Sequence, residues 1–207
     1  LAINSVPVKS YKPLSSLKKM HTLNLAKMKI TDLKPIEKLP NLHTLYLRGA
    51  KISGLKPLRG LKKLHMLDLE NTEISNIEVI RNISNLQILN LNKTDVNNLE
   101  PIKELVNLQE LYLNHTKITD LKPLQNLTDM FKLELIATDI NDIKPLKNLI
   151  NLLELKLSGT HVSDISPIKN ASNLLSLELN FTNVSNIEPL RDKTNLILLN
   201  LQDTKVS

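Results

Sequence analysis

The chain repeats itself every 22 residues from one end to the other, and no insertion breaks the spacing. Aligned on one apolar position of each copy, Met20, Leu42, Leu64, Leu86, Leu108, Met130, Leu152, Leu174 and Leu196 fall in a single column. A unit this short cannot bury an apolar face by itself, whereas stacked copies can. A fixed period of roughly 20–50 residues therefore commits a chain to a solenoid whose coils touch only their neighbours. For 207 residues this replaces the usual expectation of one or two globular domains with a single elongated one, 1–207.

One coil, Leu42 to Lys63, shows how the repeat is built. Leu45 and Leu47 alternate with Thr44 and Tyr46, the period-2 pattern of a short strand with one buried side. Ile52, Leu55, Leu58 and Leu61 then follow at a strict spacing of three, as do Ile30/Leu33/Ile36/Leu39 and Ile118/Leu121/Leu124/Leu127. That spacing fits a 3₁₀ turn, because the apolar stripe of an α-helix alternates between three and four. Inside the run stand Pro13, Pro35, Pro57, Pro101, Pro123, Pro145, Pro167 and Pro189, and only Val79 breaks the column. Proline fixes φ and lacks a donor, which a first turn tolerates and a helix interior does not. With the spacing L-x-x-L-x-L, the chain reads as α/β: a right-handed leucine-rich repeat solenoid. A parallel sheet forms its concave face, 3₁₀ segments form its convex face, and about ten strands run from Leu1–Ile3 to Leu199–Leu201. Both ends fall mid-repeat, so the expectation is a segment cut from a longer protein.

After each strand the later coils place Thr72, Thr94, Thr116, Thr138, Thr160, Thr182 and Thr204. A buried hydroxyl needs a partner, and bonding to the backbone of adjacent coils is the expectation here. The first coils have Val6, Met28 and Ala50 instead, which cannot join a polar column. Near the other end, Ala171 and then Lys193 occupy a leucine column of the convex wall, and a charge there signals an end or a changed partner.

The stretch T-x-[IV]-[ST]-[DN]-[LI]-x-P-[LI] recurs, for example as Thr116-Lys117-Ile118-Thr119-Asp120-Leu121-Lys122-Pro123-Leu124 and as Thr160-His161-Val162-Ser163-Asp164-Ile165-Ser166-Pro167-Ile168. This resembles the 22-residue repeats of the internalin-like bacterial proteins, and the likeness covers essentially the whole chain. The resemblance implies a surface, secreted or translocated bacterial protein that grips a protein of a host cell with its concave sheet. It carries over no binding residues, since these vary among members of the family.

The outward columns of the strands form the surface that would bind. One contains Tyr46, Asp68, Tyr112, Glu134, Lys156 and Glu178; its neighbour contains Glu110, Lys132 and Glu154. Arg48 and Ile136 lie further along their strands, and Phe181 follows one place later. In the later coils, four glutamates surround two lysines, an acid-leaning patch. Tyr46, Tyr112, Ile136 and Phe181 are large groups where a merely solvated face would prefer small polar ones, and Tyr and Arg are favoured interface anchors. The competing reading is a set of cross-strand pairs that only stabilises the sheet. The column opening each strand runs His21, His43, His65, Gln87, Gln109, Phe131, Leu153, Leu175, Ile197. Its histidines read as an unliganded ladder, because rung spacing exceeds what tetrahedral zinc wants. Its apolar half suggests either a contact patch or coverage by a neighbouring domain.

The formal charge of +6 resides mainly on the convex wall, where acidic neighbours and a lack of aromatics favour a solvated face over a nucleic-acid surface. No apolar run is long enough to insert into a membrane, no cysteine is present, and no nucleophile–base pair, phosphate-cradling loop or cofactor motif stands out. The expected function is a non-enzymatic interaction module without cofactors, whose partner is a protein and not nucleic acid or a bilayer. An intracellular, cytoplasmic scaffold and the recognition arm of a larger effector enzyme are the rival readings.

Overall fold

The computed structural model describes residues 10–207 and folds them into nine three-residue strands in one parallel sheet, in strict chain order. They are β1 (Thr22–Asn24), β2 (Thr44–Tyr46), β3 (Met66–Asp68), β4 (Ile88–Asn90), β5 (Glu110–Tyr112), β6 (Lys132–Glu134), β7 (Glu154–Lys156), β8 (Ser176–Glu178) and β9 (Leu198–Asn200). The strand expected at Leu1–Ile3 lies outside the described residues. The others occur where the sequence pattern places them, one residue earlier than the leucine pair itself. Every pairing is offset by one repeat, so Leu23 lies beside Leu45, Leu45 beside Leu67, and so on to Leu177 beside Leu199.

That register stacks like on like. Leu45, Leu67, Leu89, Leu111, Leu133, Leu155 and Leu177 form one fully buried column, and Leu47 to Leu179 form another. The opposite wall is 3₁₀ in every coil, with no α-helix among the described residues, and proline stands in the first turn of every segment except Glu78–Asn82. The Asp or Asn of the recurrent motif starts these turns. Oδ1 of Asp32, Asn76, Asn98, Asp120, Asp142, Asp164 and Asn186 accepts the backbone N–H two residues on, at 2.8–2.9 Å. Such a side chain satisfies a donor that the turn itself leaves unpaired and sets the chain direction just before proline.

Thr72 through Thr182 of the threonine column are buried, as their position predicts, and Thr204 is half-buried, but the hydroxyls do not join adjacent coils. Each donates to the carbonyl three residues earlier in its own coil, Thr116 to Leu113 and Thr160 to Leu157, both at 2.6 Å. The hydroxyl reinforces a local turn, which the backbone N–H of Met28 and Ala50 closes onto Leu25 and Leu47 where threonine is lacking. Side-chain links between coils come from a different column. Nδ2 of Asn41, Asn85, Asn107 and Asn151 donates to Lys18, Lys62, Ser84 and Thr128 carbonyls of the preceding coil, at 2.7–3.0 Å. Lys193 is 7% exposed, its Nζ donating to the Lys169 carbonyl at 2.5 Å. Ala171 holds the same column in the coil before. Burial lowers the Lys193 pKa against the opposing pull of Asp192.

Just past each strand the chain turns through a residue of positive φ: Lys27, Gly49, Asn71, Lys93, His115, Ala137, Gly159, Phe181 and Asp203. The backbone N–H of Lys27 through Phe181 in this column donates to a carbonyl of the next coil, Ala137 to Ser158 at 2.9 Å for example. An L-residue with a Cβ costs about 1–2 kcal/mol in this conformation. Ala137→Gly is accordingly expected to raise stability by roughly 1 kcal/mol, allowing for the greater freedom of unfolded glycine. Urea denaturation checks this as a higher midpoint with unchanged slope. Thr116→Val, which keeps shape and removes the hydroxyl, is expected to cost about 1 kcal/mol in the same assay.

Candidate functional site on the concave face

The side chains of the first and third residue of each strand point away from the core, and one-repeat register places equivalent positions beside one another. At the N-terminal half, Arg48 is paired with Glu70 at 3.0 Å, and Tyr46 is half-buried on β2. Asp68 is less available than its outward position suggests. It is 8% exposed and its Oδ1 accepts the Glu70 backbone N–H at 2.9 Å. Burial pushes its pKa up; the Glu70 charge adds to this, while the Glu70 amide and Arg48 pull the other way.

The second half holds a continuous charged network. Lys132 lies 2.7 Å from Glu154 and 3.7 Å from Glu134, while Lys156 lies 3.3 Å from Glu134 and 3.4 Å from Glu178. Each lysine thus sits between two carboxylates, and Glu134, 8% exposed, is shared by both. Burial works against the ammonium of either lysine, but the facing carboxylates outweigh it and raise both pKa values: chiefly Glu154 for Lys132, Glu134 and Glu178 for Lys156. The Tyr112 hydroxyl donates to Glu110, and Lys132 Nζ stands 5.5 Å from the centre of the Tyr112 ring. Burial, then the bond to Glu110 and the surrounding carboxylates, drive the Tyr112 pKa far above that of free tyrosine, so it remains a neutral donor.

The sequence reading passed over what holds this network from the side. Asn92 Oδ1 accepts the Asn114 N–H at 2.7 Å and Asn114 Oδ1 accepts the Ile136 N–H at 2.8 Å. Asn114 Nδ2 donates to Glu134 at 2.6 Å. Asparagine in the same column of consecutive coils was the signal available. Ile136 is half-buried, and Phe181, 57% exposed, is not drawn into the network. The candidate residues therefore form two groups: Tyr46, Arg48 and Asp68 on β2 and β3 with their flank, and the linked set from Glu110 to Glu178 on β5–β8. In the histidine column His43 and His65 stack with ring centres 5.2 Å apart, and His21 lies tilted against His43 at 5.0 Å. Nδ1 of His43 and His65 faces the Asn41 and Lys63 carbonyls, each at 2.7 Å. Among the described residues no group of three or more His, Cys, Asp or Glu is arranged to hold a metal ion, and no helix is long and apolar enough to cross a membrane.

Residues 18–60 and 40–82 match the family model for leucine-rich repeats in two copies. Comparison with curated proteins gives no match. Among solved structures, the chain is similar to an internalin, InlF, from Listeria monocytogenes at 34% identity and a TM-score of 0.92, over 96% of this chain and 58% of that one. With internalin C2 of the same organism it shares 32% identity and a TM-score of 0.87, over 90% of this chain and 83% of that one. The chain belongs to the internalin-like proteins. A leucine-rich repeat protein of Leptospira interrogans, LIC12759, is similar at 27% identity and a TM-score of 0.87, over 93% of this chain and 51% of that one. The internalin-like repeats here thus correspond to about half of two of these relatives and most of the third. Repeat solenoids of this kind generally serve as binding surfaces and not as catalysts.

Within the face, Asp68 gives a direct test of its electrostatics. A carboxyl whose pKa is raised on folding binds its proton more readily in the folded chain, so its effect on stability becomes unfavourable as pH rises through the folded pKa. Asn24, Asn90 and Asn200 occupy the same column and make the same bond to an amide two residues on. Asp68→Asn is expected to raise the melting temperature at pH 7, with the gain shrinking as pH falls through the raised Asp68 pKa and gone below the ordinary carboxylate range.

Proposed function

We propose that the chain is a non-enzymatic protein-binding module that grips a protein ligand on its concave face, through the residues of β2–β8 and their flanks named above. By its family resemblance, the protein that carries it is displayed on or released from a bacterial surface, and the ligand belongs to a host cell. The observation that carries this reading is the Tyr112–Lys132–Glu134–Lys156 network, in which polar and aromatic groups are locked by mutual bonds on a rigid sheet. Groups held in place before contact lose little freedom on binding, which is how a shallow face achieves affinity. The excess of carboxylates on this face also disfavours a polyanion such as nucleic acid, whose binding is driven by Lys and Arg on phosphate.

The test compares the wild-type chain with Tyr112→Ala/Glu134→Lys/Lys156→Glu, first shown to melt cooperatively, as capture reagents against host-cell surface extract and bacterial lysate. A host protein retained by wild type and reduced at least tenfold with the variant supports the proposal. A partner from the lysate alone moves the reading to an intracellular scaffold, and equal retention by both proteins removes the concave face from the function.

A further inference from the structure

The column opening each strand changes character half-way along the solenoid. It is His or Gln beside β1–β5 and becomes Phe131, Leu153, Leu175 and Ile197 beside β6–β9. The fold does not call for apolar groups there, since five preceding coils use polar ones. None of the four belongs to the buried core or to the apolar residues packed on it. Phe131, Leu153 and Leu175 are half-buried and Ile197 continues their line in the last coil, so they form a ridge along the edge of the concave face. Contiguous apolar surface of this kind on a soluble protein marks a contact site.

Beside the ridge, one to three residues along the same strands, runs the charged network. On β6–β8, Glu134, Glu154 and Glu178 outnumber Lys132 and Lys156, leaving one negative charge in excess on a chain whose formal charge is +6. Both lysines already stand between carboxylates, while Glu154 and Glu178 keep part of their surface open, 40% and 24% of the side chain. A partner lying along the solenoid axis therefore meets an apolar stripe and a parallel acidic one.

Spacing decides which secondary structure fits both. Rungs of a parallel sheet are about 4.8 Å apart. Successive turns of an α-helix advance 5.4 Å, so a helix laid along the axis drifts by only about 1.8 Å across four rungs. Same-side residues of an extended strand are about 6.6 Å apart and drift by about 5.4 Å over the same distance, more than a full rung. Resting on the concave-face reading given above, we infer that β6–β9 bind an amphipathic α-helix of a partner protein, its apolar stripe on the Phe131–Leu153–Leu175–Ile197 ridge and its basic flank on Glu154 and Glu178.

The test uses the full 207-residue chain and three fluorescent peptides of about 18 residues, lactam-stapled because isolated helices this short are marginal. One has a leucine stripe flanked by lysines; the second is a scramble that scatters the leucines around the helix; the third replaces every lysine of the first by glutamate. Fluorescence anisotropy is expected to show the first binding at least tenfold more tightly than the other two. Leu153→Ser/Leu175→Ser and Glu154→Gln/Glu178→Gln are each expected to weaken it at least tenfold, the second pair also flattening its salt dependence. Equal binding of the scramble, retention by the leucine variant, or no binding of any peptide overturns the inference. So does a dimer in sedimentation that the leucine variant dissolves, which would assign the ridge to a second copy of the chain. If the peptides fail while host-protein capture is still lost with the Tyr112/Glu134/Lys156 variant, the helix is refuted and the broader concave reading stands. If capture survives that variant as well, both fall.

Discussion

Leucine stacked on leucine at a constant offset of one repeat is the interaction on which the rest of this structure rests. A single coil has nowhere to hide Leu111 or Leu113; each becomes buried only because Leu89 and Leu133, or Leu91 and Leu135, lie above and below. Burying one such side chain is worth about 1.5–3 kcal/mol, and each coil contributes several. The backbone obeys the same dependence, because the turn residues beyond β1–β8 find their acceptors in the next coil and not in their own. Stability is thus a nearest-neighbour property, and a defect in one coil is felt by two others and hardly beyond.

The same offset arranges the concave chemistry. Lys132 meets Glu154 and Lys156 meets Glu178 because the register puts those pairs side by side on neighbouring strands. Glu134 becomes the hub because its own column places Lys156 beside it, and because Asn114, one coil back, reaches its carboxylate. These bonds both steady the sheet and present a fixed pattern of charge, so the stabilising and the binding interpretations of the pairs describe one set of contacts.

Much of this was legible in the residues. Period two and period three predict the strands and the 3₁₀ wall, and the proline column marks the start of each turn, with Val79 the exception in both sequence and structure. Neighbours across the sheet can be read by adding 22, so the charge network is legible in the residues alone. The hydrogen bonds of the short polar side chains were not. Whether Thr116 reaches an adjacent coil or its own Leu113 carbonyl depends on the local turn, and a pattern of residue types does not encode that. The asparagines before most of the aligned leucines look like solvated positions, yet Asn85 and Asn107 tie coil to coil. Nor did alternation foretell that Asp68 and Glu134 would be covered, since long neighbours such as Arg48, Lys132 and Lys156 can fold over a position that points outward.

Because every column runs through the coils without a break in phase, removing or duplicating one 22-residue unit would leave the core, the turns and the asparagine ties intact. What would change is distance along the axis, in steps of one rung, between landmarks such as the histidine stack and the apolar ridge. Unequal recombination within the gene can therefore rescale the surface like a ruler while leaving the architecture unaltered, and selection for a ligand of a given length becomes a matter of counting.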